Sequence, residues 1–449
     1  MSKPSGASMT SGDDKPQRTS SSMSSTLLSS YTSRRSTSSM SASHRVDTYV
    51  PVGILDAKSA IIIEFGARYT RIGFAGEYYP RELLRSEVEC DGKVVSVFCD
   101  GRPEDENRKF LHLFFRKIFF KYIMCSVKER RLMIVESLLT ATRKRNLIAS
   151  VLFDTPTFSP PAILFAPSHL LHTIPFSVNT ALVVDVGYSE TVLIPVFEGV
   201  TMVSNCECSP VCSRLLEERI CSLLKESGKI ELDDGFTLRD IIDDDVKRMK
   251  EMNIIEEIAV RVCFATKLSR GHKIQKVDGH AIDFDLAVES RIGFVRETVI
   301  VPGIVREKAA EIFFKLGYHG EGRSVTELIL DCLVKLPIDM RRPIISNLTI
   351  VGGAARMTGF LARLKAELEW NLDENDQYNR LHKLKESIKF YVHPEAPIEL
   401  YGAWLGGSLL GSLDIMQSRS TTREDWLKVN VLPDWTDKID SYLKNEKEN

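Results

Sequence analysis

Leu182-Val183-Val184-Asp185-Val186-Gly187-Tyr188-Ser189-Glu190-Thr191-Val192-Leu193 is the stretch that decides the fold, because its pattern occurs twice. It aligns without gaps on Ile61 to Ile72, with Glu64 falling on Asp185, Gly66 on Gly187 and Thr70 on Thr191. The offset is 121 residues, the difference both between 185 and 64 and between 187 and 66. An apolar strand followed by an acid, one residue and a glycine is common singly. Its recurrence predicts two related lobes.

Each copy reads as a strand, a tight turn and the start of a returning strand, a β-hairpin. The β-branched run Ala60-Ile61-Ile62-Ile63 ends in Glu64-Phe65-Gly66, and the chain returns through Arg71-Ile72-Gly73-Phe74-Ala75-Gly76. Glycine lets backbone N–H groups approach a phosphate closely, and turns with consecutive inward N–H groups form anion-binding concavities. An acid at the strand end lies beside those phosphates and suits a hydrated Mg²⁺, which prefers carboxylate and water oxygens. Two such hairpins facing each other would clamp a triphosphate.

A third element, Leu348-Thr349-Ile350-Val351-Gly352-Gly353, leads through Met357-Thr358-Gly359-Phe360 into a helix expected to reach about Trp370. Strand, glycine pair and helix N-terminus give a nucleotide close backbone approach. The candidate binding residues are therefore Glu64, Gly66, Arg71, Asp185, Gly187, Gly352 and Gly353, with Asp185 the candidate Mg²⁺ ligand. The competing structural roles are turn or cap hydrogen bonding for Asp185, a plain βα turn for the glycine pair, and cross-hairpin pairing with Glu64 for Arg71. His169 and His393 read as packing or surface histidines, since no second ligand stands at metal spacing.

Around these elements the chain alternates strands and helices, which predicts an α/β fold with mixed sheets. Glu106–Cys125 reads as a core helix rather than a membrane-surface one, and Arg131–Glu136 as a strand. Thr142–Arg145 reads as a solvated basic helix start. A helix over Cys212–Lys225, an acidic linker at Asp233–Asp245, helices near Ile254–Leu268 and a β-rich patch at Lys273–Val301 follow.

The 449 residues suffice for two or three average domains or one large two-lobed body, and 43% apolar content supports a sizeable core. Lys+Arg 59 against Asp+Glu 61 argues against nucleic acid or an anionic membrane as a bulk electrostatic partner. No apolar run reaches transmembrane length and no signal-type apolar segment opens the chain, so a cytoplasmic or nuclear protein is expected. Nine scattered cysteines suit reduced thiols, and the Cys206, Cys208, Cys212, Cys221 group lacks paired zinc-knuckle spacing. Residues 1–52 form a Ser-rich leader, with seventeen serines in the first fifty positions, expected to be disordered; its competing roles are a phosphorylatable tail and an unconstrained extension. The expected division is lobe I over 53–175 and 401–436, lobe II over 176–400, and a polar tail over 437–449.

Several blocks resemble actin and its relatives, in the right order from about Ala60 to Trp435. Phe74-Ala75-Gly76-Glu77 with Pro80-Arg81 is similar to the family's first phosphate hairpin. Asp185-Val186-Gly187 with Ile194-Pro195-Val196-Phe197-Glu198-Gly199 is similar to the second, and Val351-Gly352-Gly353 to the adenosine loop. Ala403-Trp404-Leu405-Gly406-Gly407-Ser408 resembles the entry to the C-terminal helix. The resemblance implies an actin-like duplicated ATPase fold, two lobes around a nucleotide cleft, and ATP or ADP with Mg²⁺ as cofactor. Leu164–Leu170, Leu336–Arg341 and Ser418-Arg419-Ser420 before Pro433-Asp434-Trp435 resemble the branch at the pointed end of the dynactin filament. That branch implies a structural, cytoplasmic and cytoskeletal subunit supporting dynein-driven microtubule transport. Its implied partners are the actin-related protein one filament, actin itself as a second candidate, and the other pointed-end subunits, with no nucleic acid and no direct membrane contact.

The departures matter equally. Only the 51 residues Arg81–Arg131 separate the first hairpin region from the strand at Leu132, so the family's subdomain two, which grips the next subunit, is expected to be reduced. The family's water-positioning glutamine aligns with Ser168 and its partner histidine with Val192; neither replacement positions water the same way. The first-loop serine aligns with Ala67, the aspartate with Glu64, the phosphate lysine with Arg71, and the adenine-contacting pair with Ala259 and Val260. A nucleotide-binding but non-hydrolysing protein with no catalytic residues is the expectation. The alternatives are an ATPase or kinase of the same superfamily and a nuclear actin-related subunit of a chromatin remodeller.

Overall fold

A computed structural model describes residues 58–99, 101–276, 287–315, 322–393 and 395–433, all within the unit Ala57–Asn449. The expectations for the 1–52 leader and the 437–449 tail lie outside the described residues.

The strands are β1 (Ile61–Phe65), β2 (Tyr69–Phe74), β3 (Glu82–Arg85), β4 (Glu87–Cys90), β5 (Lys93–Ser96), β6 (Leu132–Glu136) and β7 (Ala162–Pro167). They continue with β8 (Ala181–Val186), β9 (Thr191–Phe197), β10 (Val200–Thr201), β11 (Glu207–Ser209), β12 (Lys229–Glu231) and β13 (Leu238–Asp240). Then come β14 (Ser290–Phe294), β15 (Glu297–Val301), β16 (Leu348–Val351) and β17 (Thr421–Thr422). Lobe I is built on the sheet ordered β17-β7-β6-β1-β2-β3, and lobe II on β10-β9-β8-β16, with β11 beside β9. A further sheet, β13-β12-β15-β14, belongs to lobe II, and β4 pairs with β5 alone.

The repeat read in the sequence is a repeat of register. In the first hairpin Ile61 faces Phe74, Glu64 faces Arg71 and Phe65 faces Thr70. In the second Leu182 faces Pro195, Asp185 faces Val192 and Val186 faces Thr191, each pair displaced by 121 on both strands. The parallel neighbours repeat too: β6 opens with Leu132 opposite Ile61, and β16 with Leu348 opposite Leu182. Ile61, Ile62 and Ile63 are all fully buried because helices cover both faces of the sheet, which explains an unbroken β-branched run instead of alternation.

The helix Glu104–Lys117 has Glu104, Asp105 and Glu106 in its first turn and Arg116 and Lys117 in its last, complementing its dipole. Leu111, Phe114 and Phe115 are buried, and Phe65 meets Phe114 edge-on at 5.6 Å, so this is the core helix expected. Four local expectations need correction. Arg145 is buried against Glu136 at 2.8 Å, so Thr142–Arg145 is only partly a solvated start. The 233–245 stretch is no linker: β13 pairs with β12, and a helix begins at Asp243. Lys273 lies in the helix Leu268–Lys276, so the strands begin only at Ser290. The helix after Gly359 runs one turn beyond the expected end near Trp370, to Glu374.

The chain passes between lobes twice, and both passages pack together. Phe176, Ile398 and Leu405 form a small buried cluster, and the Tyr391 hydroxyl donates to the Phe176 carbonyl at 3.1 Å. The helix Ala396–Gly411 lies against the short helix Ser168–Thr173 so closely that a Cβ at Gly406 would stand 2.0 Å from the Leu171 carbonyl oxygen. That contact explains why a glycine follows the buried Trp404 and Leu405.

Candidate functional site

The two hairpin turns close in the same way. The Gly66 amide donates to the Tyr69 carbonyl at 3.1 Å, and the Gly187 amide to the Glu190 carbonyl at 3.0 Å. The hydroxyls following them are anchored as well: Thr70 shares a 2.8 Å bond with Ser86, and Thr191 donates to the Val211 carbonyl at 2.6 Å. Both strand-end acids thus stand at matching places in two rigid turns.

Asp185 and Glu64 come together electrostatically. Burial first, then the charges of Glu64 and Glu190, with Arg71 opposing, together push the Asp185 carboxyl up to about 6. Arg71 pairs with Glu64 across the hairpin, the structural role weighed for it, and its guanidinium lies 5.7 Å over the Tyr401 ring. Two buried polar atoms here find no hydrogen-bond partner among the described residues, Glu64 Oε2 and Arg71 Nε. Among the described residues no group of three or more His, Cys, Asp or Glu is placed to hold a metal ion. A cation beside Asp185 therefore needs oxygens from phosphate or water, and the two unpartnered atoms fit such a pairing.

Gly352 brings the third element against the second hairpin. At φ +98, a Cβ there would stand 2.2 Å from the Val186 carbonyl oxygen and 2.9 Å from Asp185 Oδ1. Gly353 differs, with open space where its Cβ would be. The seven candidates thus divide: Glu64, Arg71, Asp185, Gly187 and Gly352 converge, Gly66 shapes the first turn, and Gly353 borders open space.

The positions on which the resemblance places the family's water-positioning pair hold Ser168 and Val192. Ser168 opens the helix Ser168–Thr173, where its carbonyl accepts from His172 Nδ1 at 2.9 Å. Val192 is a buried aliphatic facing Asp185 across the hairpin. Ala259 is buried, and Val260 is exposed on the helix Ile254–Arg261. Cys212 and Cys221 are buried, Cys206 is half-buried and Cys208 exposed, all as free thiols.

Sequence reasoning passed over the residues that join the lobes. Arg68, in the first turn, bonds Glu217 at 3.1 Å and Glu256 at 2.8 Å and lies 4.6 Å over the Tyr188 ring of the second turn. The signal available was side-chain bulk: Arg68 and Tyr188 occupy turns where close phosphate approach favours small residues.

A duplicated pair of hairpins flanked by matching parallel strands, with an acid in each facing a common cleft, defines the actin-like fold. A family profile described as Actin matches residues 106–429, and the chain belongs to this family. It is 24% identical to actin-related protein 10 of Dictyostelium discoideum, over 85% of this chain and 90% of the relative. It is 26% identical to actin-related protein 3 of Oryza sativa subsp. indica, covering 80% and 92%, and 22% identical to centractin of Saccharomyces cerevisiae, covering 82% and 94%. The family's fold is generally nucleotide-binding, and no helix among the described residues is long and apolar enough to cross a membrane.

Proposed function

We propose that this chain is a structural actin-family subunit that caps the pointed end of the dynactin filament. The observation that carries the proposal is the short Arg81–Arg131 interval, in which the two-stranded β4–β5 hairpin stands where the family places its gripping subdomain. A head-to-tail contact propagates only when every subunit presents both complementary faces, so a subunit with one face reduced ends the row. Its barbed face would meet actin-related protein one, or actin, and its other side the remaining pointed-end subunits. The similarity to actin-related protein 10 and to centractin supports this placement. The setting would be the cytoplasm, in support of dynein-driven transport along microtubules.

In this role ATP or ADP with Mg²⁺ is a bound structural group and not a fuel. Asp185 and Glu64 would hold the hydrated cation, and the turns at Gly66, Gly187 and Gly352-Gly353 would approach the nucleotide with backbone. Mg²⁺ supplies charge neutralisation between phosphate oxygens. The testing experiment is affinity capture of the tagged chain from cytosol of its own organism, with co-purifying proteins identified by mass spectrometry. Recovery of actin-related protein one with other pointed-end subunits supports capping; recovery of chromatin-remodelling subunits, or of neither, overturns it.

A further inference from the structure

We infer that a set of ion pairs built into the two lobes holds this cleft closed without help from a bound nucleotide. The set is compact, and its Arg68, Tyr69 and Arg85 contacts cross the cleft. From lobe I, Arg68 reaches Glu217 on the helix Ser213–Ser227 and Glu256 on the helix Ile254–Arg261. The Tyr69 hydroxyl donates to the other Glu256 oxygen at 2.5 Å, and Arg85 on β3 pairs with the same carboxylate. The Tyr188 hydroxyl of the second turn donates to Glu217 at 3.4 Å while its ring lies under Arg68.

Three features make this a latch instead of an incidental surface contact. The partners are 149 to 188 residues apart in sequence, so no local structure demands their meeting. Their side chains are largely withdrawn from water, with 15% of Arg68, 15% of Glu217 and 19% of Glu256 exposed, where charged hydrogen bonds are screened little. Two guanidinium groups face two carboxylates, so the set balances its own charge and calls for no external ion. The hydrogen bond to Glu256 and burial together push the Tyr69 phenol up to about 12, as expected for a donor locked to an anion.

The consequence concerns the turns themselves. In a nucleotide-gated cleft the ligand draws two phosphate turns together; here Arg68 and Tyr188 already join them. A charged hydrogen bond is worth roughly 10- to 100-fold in an opening equilibrium. The inference does not depend on filament capping, because it is read on the full chain alone. Hydrogen exchange of peptides spanning Glu82–Ser86 and Ser213–Ser227, which carry Arg85 and Glu217 of the latch and lie outside the turns proposed to meet the nucleotide, is followed with and without millimolar MgATP, in the wild type and in Arg68→Gly and Glu256→Gln. The expected result is equal exchange in the wild type under both conditions and at least about tenfold faster exchange in the variants without nucleotide. Glu256→Gln keeps the side-chain size, so it carries the test if Arg68→Gly fails to fold. Wild-type segments that lose protection when nucleotide is removed, or variants that exchange like wild type, overturn the inference.

Discussion

Arg363 is fully buried, and its guanidinium is shared between two acids that are also buried. It grips Glu311 with two bonds of 2.9 Å, reaches Glu367 at 2.7 Å, and lies 4.8 Å over the Phe314 ring. Removing one member of such a set leaves uncompensated charge in a poor solvent. Arg363→Met should cost about 3–5 kcal/mol, seen as a lower urea midpoint at unchanged m-value. Gly352 and Gly353 make a sharper pair, because they are adjacent and chemically identical. Gly352→Ala meets both a left-handed φ of +98 and the Val186 carbonyl, and should destabilise by about 1–3 kcal/mol. Gly353, at φ −63 with nothing within 4 Å, should accept alanine within about 0.5 kcal/mol. Equal urea midpoints for the two variants would remove Gly352 from its structural role.

At the scale of elements, the short helix Ser168–Thr173 carries two imidazoles that the fold keeps neutral. Burial drives His169 down to about 3, with the His172 charge adding, while His169 Nε2 shares a 2.8 Å bond with Thr201 of lobe II. Burial likewise drives His172 down to about 4, the Ser168 carbonyl opposing and Arg71 adding to the fall. Both folded-state values lie below the unfolded value near 6.5, so the unfolded chain takes up these protons first. Their stabilisation is complete above pH 6.5 and is lost as pH falls toward 4, at about 1.4 kcal/mol per pH unit for each histidine. Asp185 works in the opposite direction, since its raised value favours the folded state as it protonates below about 6. The clean quantity is therefore the difference between wild type and His169→Asn: the variant's urea midpoint should fall less steeply from pH 7 to 5. The hairpins that face this helix were legible in sequence, because strand period, acid and glycine recur at 121 residues and local pattern fixes register. The placement of Asp185 and Glu64 was legible for the same reason, and that of Gly352 from the glycine pair that ends the apolar strand Leu348–Val351. The Arg68 to Glu256 contact was not: it depends on how two lobes meet, and neither neighbourhood carries a mark of the other. Arg145 misled because a run of basic residues looks solvated until β6 supplies the buried Glu136 opposite it.

At the scale of the whole molecule, the argument turns on which functions survive the substitutions and which do not. The acids that accompany Mg²⁺ in a nucleotide cleft are present as Glu64 and Asp185, whereas the positions that would orient attacking water hold Ser168 and Val192. Phosphoryl transfer relies on positioning more than on covalent chemistry, so on the proposed reading the chain is expected to bind nucleotide without turning it over. On the same reading the β4–β5 hairpin would leave one docking face reduced. A subunit of this kind should act at filament ends in substoichiometric amounts. Added to growing filaments of an actin-family protein, the purified chain should stop elongation at one end only, with an effect that saturates at the concentration of ends and not of subunits. It should release inorganic phosphate from ATP no faster than the Asp185→Asn variant. Incorporation along the filament length would show that the reduced face still propagates contacts. Phosphate release that depends on Asp185 would return the chain to the enzymatic branch of its superfamily.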